Sequence, residues 1–338
     1  MKQKIGLIGF GTVGRGISEI LLDKKEYLKE KYGFEFDIVA VADFAYGNVY
    51  NPDGLDIPLM LEQAGKKEKF TKDLTNLNTI QLIKDSNVTV WCELTFTDLN
   101  TGGPAVDHVK AALSSGKHVV TSNKGPAALL YPEMKALADE NGVKFLIEGT
   151  VCAGTPVINL ADGPLAGCTI SKIAGILNGT TNYMLSEMEK GMSYDEVLKI
   201  AQDLGYAEAD PTGDVEGYDA RGKVTILANI VMDAGIKITD VPCQGITNIT
   251  PDDIDFAKKQ GKRWKLIGSV EKKGDKVIAS VAPEMVDISH PLAGVMGATN
   301  ALTFTTDLLG DVTIVGPGAG KIETGFSILT DLLAIHRS

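Results

Sequence analysis

Residues 4–14, "KIGLIGFGTVG", decide the fold of this chain. A short apolar run stops at glycines, and behind them Val13, Ile17, Ile20 and Leu21 recur at helical spacing within "TVGRGISEILLDKKEYLKEKYG". Strand, tight turn and helix follow in that order. Gly9, Gly11 and Gly14 keep the G-x-G-x-x-G spacing at the junction. The first allows the turn, the second lets a pyrophosphate approach the backbone, and the third lets helix pack on strand. The helix N-terminus adds free N–H groups and a partial positive charge for phosphate. A glycine-rich turn without a ligand is the plainer alternative, and the position between strand and helix weighs against it.

Working outward, "DIVAVAD" reads as a second buried strand. "VTVWCELTF", "KHVVTSN" and "VKFLIEG" read as further strands, with the helical stretches "PAVDHVKAALSSG" and "PEMKALADENG" among them. This alternation predicts an α/β fold, a Rossmann-type doubly wound parallel sheet over residues 1–150. After about residue 150 the rhythm changes. "SYDEVLKIAQDL" carries a capping box, Ser193 with Glu196, and stops at Gly205; Thr250, Pro251 and Asp253 repeat that logic. "WKLIGSVEKKGDKVIASVAP" and "ALTFTTDLLGDVTIVGPG" read as hairpins. A second, α+β domain is therefore expected at residues 151–316. The last stretch holds an amphipathic helix with Ile328, Leu329, Leu332 and Leu333 on one side. It could cap the second domain or return to the first.

Composition narrows the function. With 338 residues the chain should hold two domains or one elaborate one, and 44% hydrophobic with 23% charged residues is ordinary for a globular protein. A formal charge of −11 without any Lys/Arg block argues against nucleic acid and membrane surfaces as partners. Neither a signal peptide nor a run of 18 apolar residues is visible, so a cytoplasmic location is expected. Cys92, Cys152, Cys168 and Cys243 are scattered, and His108, His118, His290 and His336 lack ligand spacing, which leaves a zinc site without support.

The acid expected at the ribose is Asp43, which closes "VAVAD". It lies further from the glycines than the usual ~20 residues, because the intervening helix and loop are extended. A carboxylate there repels a 2′-phosphate and favours NAD over NADP. Two alternatives stand beside this: Asp43 as a strand-end turn residue, and Lys66, Lys67 or Lys69 reaching a phosphate. A second unusual stretch is "EADPTGDVEGYDARGK" at 208–223, five acids with the basic residues only at its end.

Several blocks together resemble homoserine dehydrogenase and fall in that family's order. They are "GFGTVG", "TSNKGP" (121–126), "EGTVCAGTP" (148–156), "GILNGTTNYML" (175–185) and "GYAEADPTGDVEGYDARGK" (205–223), with "GPGAG" (316–320) resembling the family's closing loop. The resemblance implies NAD(P)-dependent interconversion of L-homoserine and L-aspartate 4-semialdehyde, on the path to threonine and methionine. It also implies a homodimer whose nucleotide domain is completed by a C-terminal helix, residues 317–338. Two departures are visible. Cys152 stands where the family commonly has glycine, and the chain's length leaves no room for the regulatory domain of some members, so feedback through such a domain is not expected.

Carried over to this sequence, the resemblance places the cofactor against Gly9, Phe10, Gly11, Thr12, Val13 and Gly14. Further contacts are expected from Asp43, Thr95, Ser122 and Lys124, and from Gly205 and Gly318. Lys223 is the expected acid/base. Asp219, one helical turn earlier on the same face, would orient its ammonium. A lysine with an ordinary pKa of ~10.4 is a slow proton shuttle near neutrality, and a second cation, Lys124, would lower that value. Asn178, Thr180, Tyr206, Glu208, Asp214 and Asp219 are expected to hold the amino-acid substrate. Taken alone, Asp219 and Lys223 would be an exposed ion pair worth roughly 0.3–0.5 kcal/mol. Their joint occurrence with Lys124 in family blocks shifts the balance to function.

By the same resemblance, a monovalent cation such as sodium would be held by Glu148, Val151, Ala153 and Thr155. A plain glycine-bearing turn remains the more economical reading there. Calcium on the acid cluster fails the D-x-D-x-D-G pattern. An aspartate semialdehyde dehydrogenase would need a nucleophilic cysteine, for which Cys152 lacks an evident histidine partner. A non-catalytic dinucleotide sensor would have had no use for Lys124, Asp219 and Lys223.

Overall fold

The computed structural model describes residues 2–338; Met1, the first residue of the expected nucleotide domain, lies outside the described residues. The chain forms two compact units. One holds the residues up to Gly154 together with Gly320–Ser338, and the other holds Thr155–Ala319.

The first unit runs β1 (Gln3–Ile8), α1 (Thr12–Asp23), α2 (Lys25–Tyr32), β2 (Phe36–Ala42), β3 (Val49–Tyr50), α3 (Ile57–Gly65) and α4 (Thr79–Asp85). It continues through β4 (Val90–Glu93), α5 (Gly103–Ser114), β5 (His118–Thr121), α6 (Lys124–Glu140) and β6 (Phe145–Leu146). Its sheet has the order β3-β2-β1-β4-β5-β6, and the four pairings from β2 to β6 are parallel ladders. The two-residue β3 pairs antiparallel with β2, so the edge of the sheet departs from the all-parallel expectation. Strand order reverses between β1 and β4, the switch point where such sheets bind ligands. The strands read as unbroken apolar runs: Ile5, Leu7, Val39, Val41, Val90, Trp91, Cys92, Val119 and Val120 are all buried, as a sheet covered on both faces requires.

The helix α13 (Lys321–Arg337) packs on α1 and thus belongs to this unit. Two glycines allow the backbones to touch. A Cβ on Gly325 would sit 2.8 Å from the Gly16 carbon and the Ile17 nitrogen, while one on Gly16 would run into the Lys321 carbonyl. Ile328, Leu329 and Leu332 then bury against the same core as Ile17, Ile20 and Leu21. Lys321 closes the contact with Glu19 at 2.5 Å. Elsewhere, the long helical pattern after the glycines breaks at Lys24 into α1 and α2. The first turn of α6 begins already at Lys124, which the sequence reading missed; Pro126 is tolerated there because early helical N–H groups have no partner to lose. A kink at Leu130 separates this turn from the stretch that begins at Pro132.

The second unit runs α7 (Val157–Asp162), β7 (Ile170–Ile176), α8 (Gly179–Met188), α9 (Tyr194–Asp203), α10 (Thr212–Val215), α11 (Tyr218–Val231) and α12 (Pro251–Lys259). Then come β8 (Lys262–Lys273), β9 (Lys276–Asp287), β10 (Thr299–Thr306) and β11 (Gly310–Pro317). The sheet order is β11-β10-β7-β8-β9, with every neighbouring pair antiparallel. Both expected hairpins form, the first around Gly274 at φ +60°. Ser193 with Glu196 and Thr250 with Asp253 complete reciprocal capping boxes on α9 and α12. Beneath the sheet, Lys265 of β8 is fully buried and donates to Asn182 Oδ1 (2.9 Å) and the Val295 carbonyl (2.6 Å). Burial pushes its pKa down to about 8. Among the described residues no helix is long and apolar enough to cross a membrane.

Candidate active site

The three glycines of the first unit meet three different demands. Gly9 adopts φ +96°, and a Cβ there would stand 2.8 Å from the Leu94 carbonyl oxygen. A Cβ on Gly14 would strike the Gly9 carbonyl, so this position needs glycine for helix and strand to meet. Gly11 is exposed with nothing within 4 Å of where a Cβ would lie. The turn is therefore tight at its ends and open in the middle. No side chain caps α1 at Gly11, and its first residues Thr12 and Val13 remain exposed and half-buried. This cradle fits a diphosphate, whose charge the helix N-terminus favours. Phe10 points the other way, fully buried edge-on to Phe70.

Asp43 is half-buried and already engaged. Its Oδ2 accepts the Phe10 N–H at 2.6 Å, while Oδ1 accepts from Ala45 and Tyr46 at 2.8 and 3.0 Å. The carboxylate shapes its own turn and pins it to the glycine-rich turn, so the turn-residue reading describes one of its functions. Carboxylate oxygens keep further lone pairs for a ribose hydroxyl.

At the ends of β4 and β5, Asn123 ties the two loops together. Its Nδ2 donates to the Phe96 carbonyl (2.8 Å) and to the Thr95 carbonyl and hydroxyl (3.2 Å each), while its Oδ1 caps α6 at Gly125. Thr95 in turn donates to Glu93 Oε1 at 2.5 Å, and His108 Nδ1 lies 3.5 Å from the same oxygen. Glu93 is wholly buried and its Oε2 has no partner among the described residues. Lys124, half-buried, is the first residue of α6, and its N–H donates to Thr97 Oγ1. Ser122 packs on Gly149, where a Cβ would come within 2.8 Å of the Ser122 Cβ. Asn123 and Glu93 escaped the sequence reading, since nothing in "TSNKGP" or "WCELTF" marks a buried polar group.

In the second unit a compact polar cluster gathers at the end of β7 and the start of α8. Lys223 is buried on α11 and donates to Asp219 Oδ2 and to the Leu177 carbonyl, both at 2.7 Å. Asn178 caps α8 through Oδ1 and donates from Nδ2 to Asp214 Oδ1 (2.7 Å) and Asp219 Oδ2 (3.1 Å). One amide thus joins both acids to the lysine. Burial, and then the neighbouring Asp219 charge, push the Asp214 carboxyl above its ordinary pKa, against the Asn178 hydrogen bond and the Lys223 charge. Thr180 donates to the Tyr206 carbonyl at 2.6 Å, and the Tyr206 ring stacks edge-on with Tyr183.

Glu208 lies exposed on the loop before α10; its carbonyl accepts from Gln202, and its carboxylate has no partner among the described residues. The structure therefore brings Asn178, Thr180, Asp214, Asp219 and Lys223 together and leaves Glu208 open to solvent. Gly205 ends α9 in the left-handed conformation, φ +75°. A side chain on Gly318 would overlap the Asn300 amide. Asn300, 1% exposed, donates to the same Leu177 carbonyl as Lys223, at 3.0 Å; neither residue 177 nor residue 300 was singled out from sequence.

The segment 148–155 is buried almost throughout. Cys152 and Ala153 hold φ of +57° and +50°, the left-handed region, which explains why glycine suits position 152. The Glu148 N–H donates to Asp331 Oδ2 at 3.0 Å, and Thr155, in the second unit, donates to the Pro317 carbonyl at 3.0 Å. Among the described residues no three His, Cys, Asp or Glu side chains cluster as a metal site would need. Cys152 is buried, as is Cys92, whose thiol burial pushes far up in pKa.

Two family descriptions match the chain: homoserine dehydrogenase over residues 156–333, and homoserine dehydrogenase, NAD binding domain, over residues 9–148. The NAD(+)-dependent homoserine dehydrogenase of Pseudomonas canavaninivorans is 45% identical over 342 residues, covering 100% of this chain and 97% of that protein. The homoserine dehydrogenase of Methanocaldococcus jannaschii is 44% identical, with 98% of each covered. A solved hyperthermophilic archaeal homoserine dehydrogenase in complex with NADPH superposes with a TM-score of 0.85 at 29% identity, covering 100% of this chain and 98% of that one.

Proposed function

Because the chain belongs to the homoserine dehydrogenase family, oxidoreductases that interconvert L-homoserine and L-aspartate 4-semialdehyde with a nicotinamide dinucleotide, we propose that Lys223 is its acid/base. The observation that carries this is the Asp214–Asn178–Asp219–Lys223 network. When bound, the dinucleotide accepts or returns the hydride. In homoserine oxidation the neutral Lys223 amine takes the hydroxyl proton; in the reverse direction its ammonium protonates the developing alkoxide. Asp219 and the Leu177 carbonyl fix the direction of Nζ before substrate arrives, which lowers the ordering cost of the step.

We assign dinucleotide binding to the first unit, through Gly9 to Gly14, Asp43, Thr95, Ser122 and Lys124. The substrate ammonium is assigned to Glu208 and Asp214, helped by Asn178, Thr180 and Tyr206. The open carboxylate of Glu208 supports this, since an exposed acid with no partner among the described residues is available to a ligand. NAD is preferred over NADP: Asp43 closes the ribose corner, and the turn that follows, "DFAYGN", holds no basic residue. A monovalent cation such as sodium is assigned to Glu148, Val151, Ala153 and Thr155, where two consecutive left-handed residues bend the chain.

A homodimer is supported by the second sheet. Thr313, Thr303, Ala174, Ser269 and Ser280 stand side by side across all five strands, a row of small and mostly half-exposed side chains suited to close sheet contact. A cytoplasmic location without nucleic-acid or membrane partners accords with the charge of −11.

The deciding experiment is homoserine oxidation by Lys223→Ala, assayed with NAD and NADP separately beside dinucleotide binding. Turnover should vanish while binding persists; substantial turnover would remove Lys223 from the mechanism. Light scattering of the wild type and Ser269→Arg checks the dimer, and rates in sodium against choline chloride check the cation.

A further inference from the structure

We infer that Asn300 is a positioning residue for proton transfer: its amide shares the Leu177 carbonyl with Lys223 and links that anchor to the loop at Gly318. This rests on the reading of Lys223 as acid/base. Asn300 stands at the start of β10, opposite Gly316 of β11, and its neighbour Ala301 pairs with Ile176 at the end of β7. The register therefore delivers its side chain to the residue that leaves β7, Leu177. Asn300 Nδ2 donates to that carbonyl at 3.0 Å and Lys223 Nζ donates to it at 2.7 Å. A carbonyl oxygen has two lone pairs, and here each meets a donor.

Two consequences follow. The oxygen cannot swing away from either donor, so the ammonium keeps one direction. The amide also satisfies part of the carbonyl's negative charge, which weakens the pull that keeps Lys223 protonated. Two carboxylates act on that ammonium, Asp219 from its own helix and Asp214 from α10. The ends of β7 and β10 add neutral groups, the Leu177 carbonyl and the Asn178 and Asn300 amides. Both acids favour the charged lysine, and the Asn300 donor opposes them. Because Gly318 has no side chain, the loop lies directly on the Asn300 amide. A shift of that loop reaches Lys223 through a single amide and a single carbonyl.

The test compares Asn300→Leu and Asn300→Asp, both close in shape to asparagine, across pH in the oxidation direction. Each variant is first checked by circular dichroism and dinucleotide binding. Removal of the donor in Asn300→Leu should move the midpoint of the kcat profile upward by about half a pH unit to one unit. Asn300→Asp should move it further, because a carboxylate replaces the donor. The homoserine KM should change less than kcat. A uniform loss of rate with an unmoved midpoint in a folded variant, or a loss of stability alone, overturns the inference; if one variant fails to fold, the other carries the test. Lys223→Gln in the same series separates the two claims. If it retains turnover, the acid/base assignment fails; if it is inactive while the Asn300 variants keep the wild-type midpoint, only the role of Asn300 falls.

Discussion

Lys265 offers a quantitative test of the second unit's core. Lys265 is 0% exposed, and its ammonium meets only neutral acceptors among the described residues: the Asn182 amide, the Val295 carbonyl and the Met296 sulfur. Desolvation is the first cause of its pKa of about 8, against 10.5 for an ordinary lysine, while Glu189 opposes that shift and Arg263 adds to it. The unfolded chain thus binds the proton more tightly than the fold, so stability rises with pH between about 8 and 10.5. Protonated Lys265 costs the fold about 3 kcal/mol, and between pH 7.5 and 9.5 about 2 kcal/mol of that should be recovered. Lys265→Met removes the titration while filling most of the volume. At pH 7.5 the variant gains from losing a buried charge and loses because Asn182 Oδ1 is left without this donor, so its stability should be near that of the wild type. The decisive quantity is the difference in slope. Urea unfolding followed by fluorescence, with Trp264 next door on β8, should show the wild type gaining about 2 kcal/mol on the variant as pH rises over that interval. Other titrating groups are common to both proteins and cancel. Parallel pH dependences would refute the claim that burial has weakened this ammonium.

Four further outcomes are expected. Asp214→Asn should raise stability at pH 7.5, because ionising a carboxyl whose folded pKa is raised costs the fold above its ordinary pKa; the gain should fade by pH 4, while kcat falls by about tenfold or more. Glu208→Leu should raise the homoserine KM by about tenfold with a smaller change in kcat and none in thermal stability. Asp43→Ser should lower the ratio of NAD to NADP activity by about tenfold, and it should also weaken the turn held through Phe10, visible as a lower melting temperature. Cys152→Gly should leave activity intact and raise stability by less than about 1 kcal/mol, since relief at φ +57° is offset by the greater freedom of glycine in the unfolded chain.

Features governed by neighbours in sequence were legible in advance. The glycine turn, the caps at Ser193 and Thr250 and both hairpins follow from residues a few positions apart, and the structure has them. Where the signal was interrupted, reading failed. The first turn of α6 hides behind Gly125 and Pro126, and β3 is two residues long. The resemblance named Asn178, Asp214, Asp219 and Lys223 as members of the site, but most of the hydrogen bonds that join them were not legible. Asp219 and Lys223 are one helical turn apart, so their contact was foreseeable, whereas Asn178 meets Asp219 across 41 positions and Asn300 meets Leu177 across 123. Lys265 looks like an ordinary charged residue in a strand; its burial comes from β-sheet register and the segment around Val295, neither of which leaves a local mark.

The contact of Gly16 with Gly325 has a consequence for synthesis. Glu19 and Lys321, which close it, are 302 positions apart, and the whole second unit lies between them in the chain. During translation the sheet of the first unit is present long before its last helix emerges, and until then Ile17, Ile20 and Leu21 lack their cover. So wide a loop closure is entropically slow to find. The second unit should therefore be able to finish folding while the first still waits. A released chain truncated after residue 319 should bind an apolar dye and resist proteolysis only between residues 155 and 319.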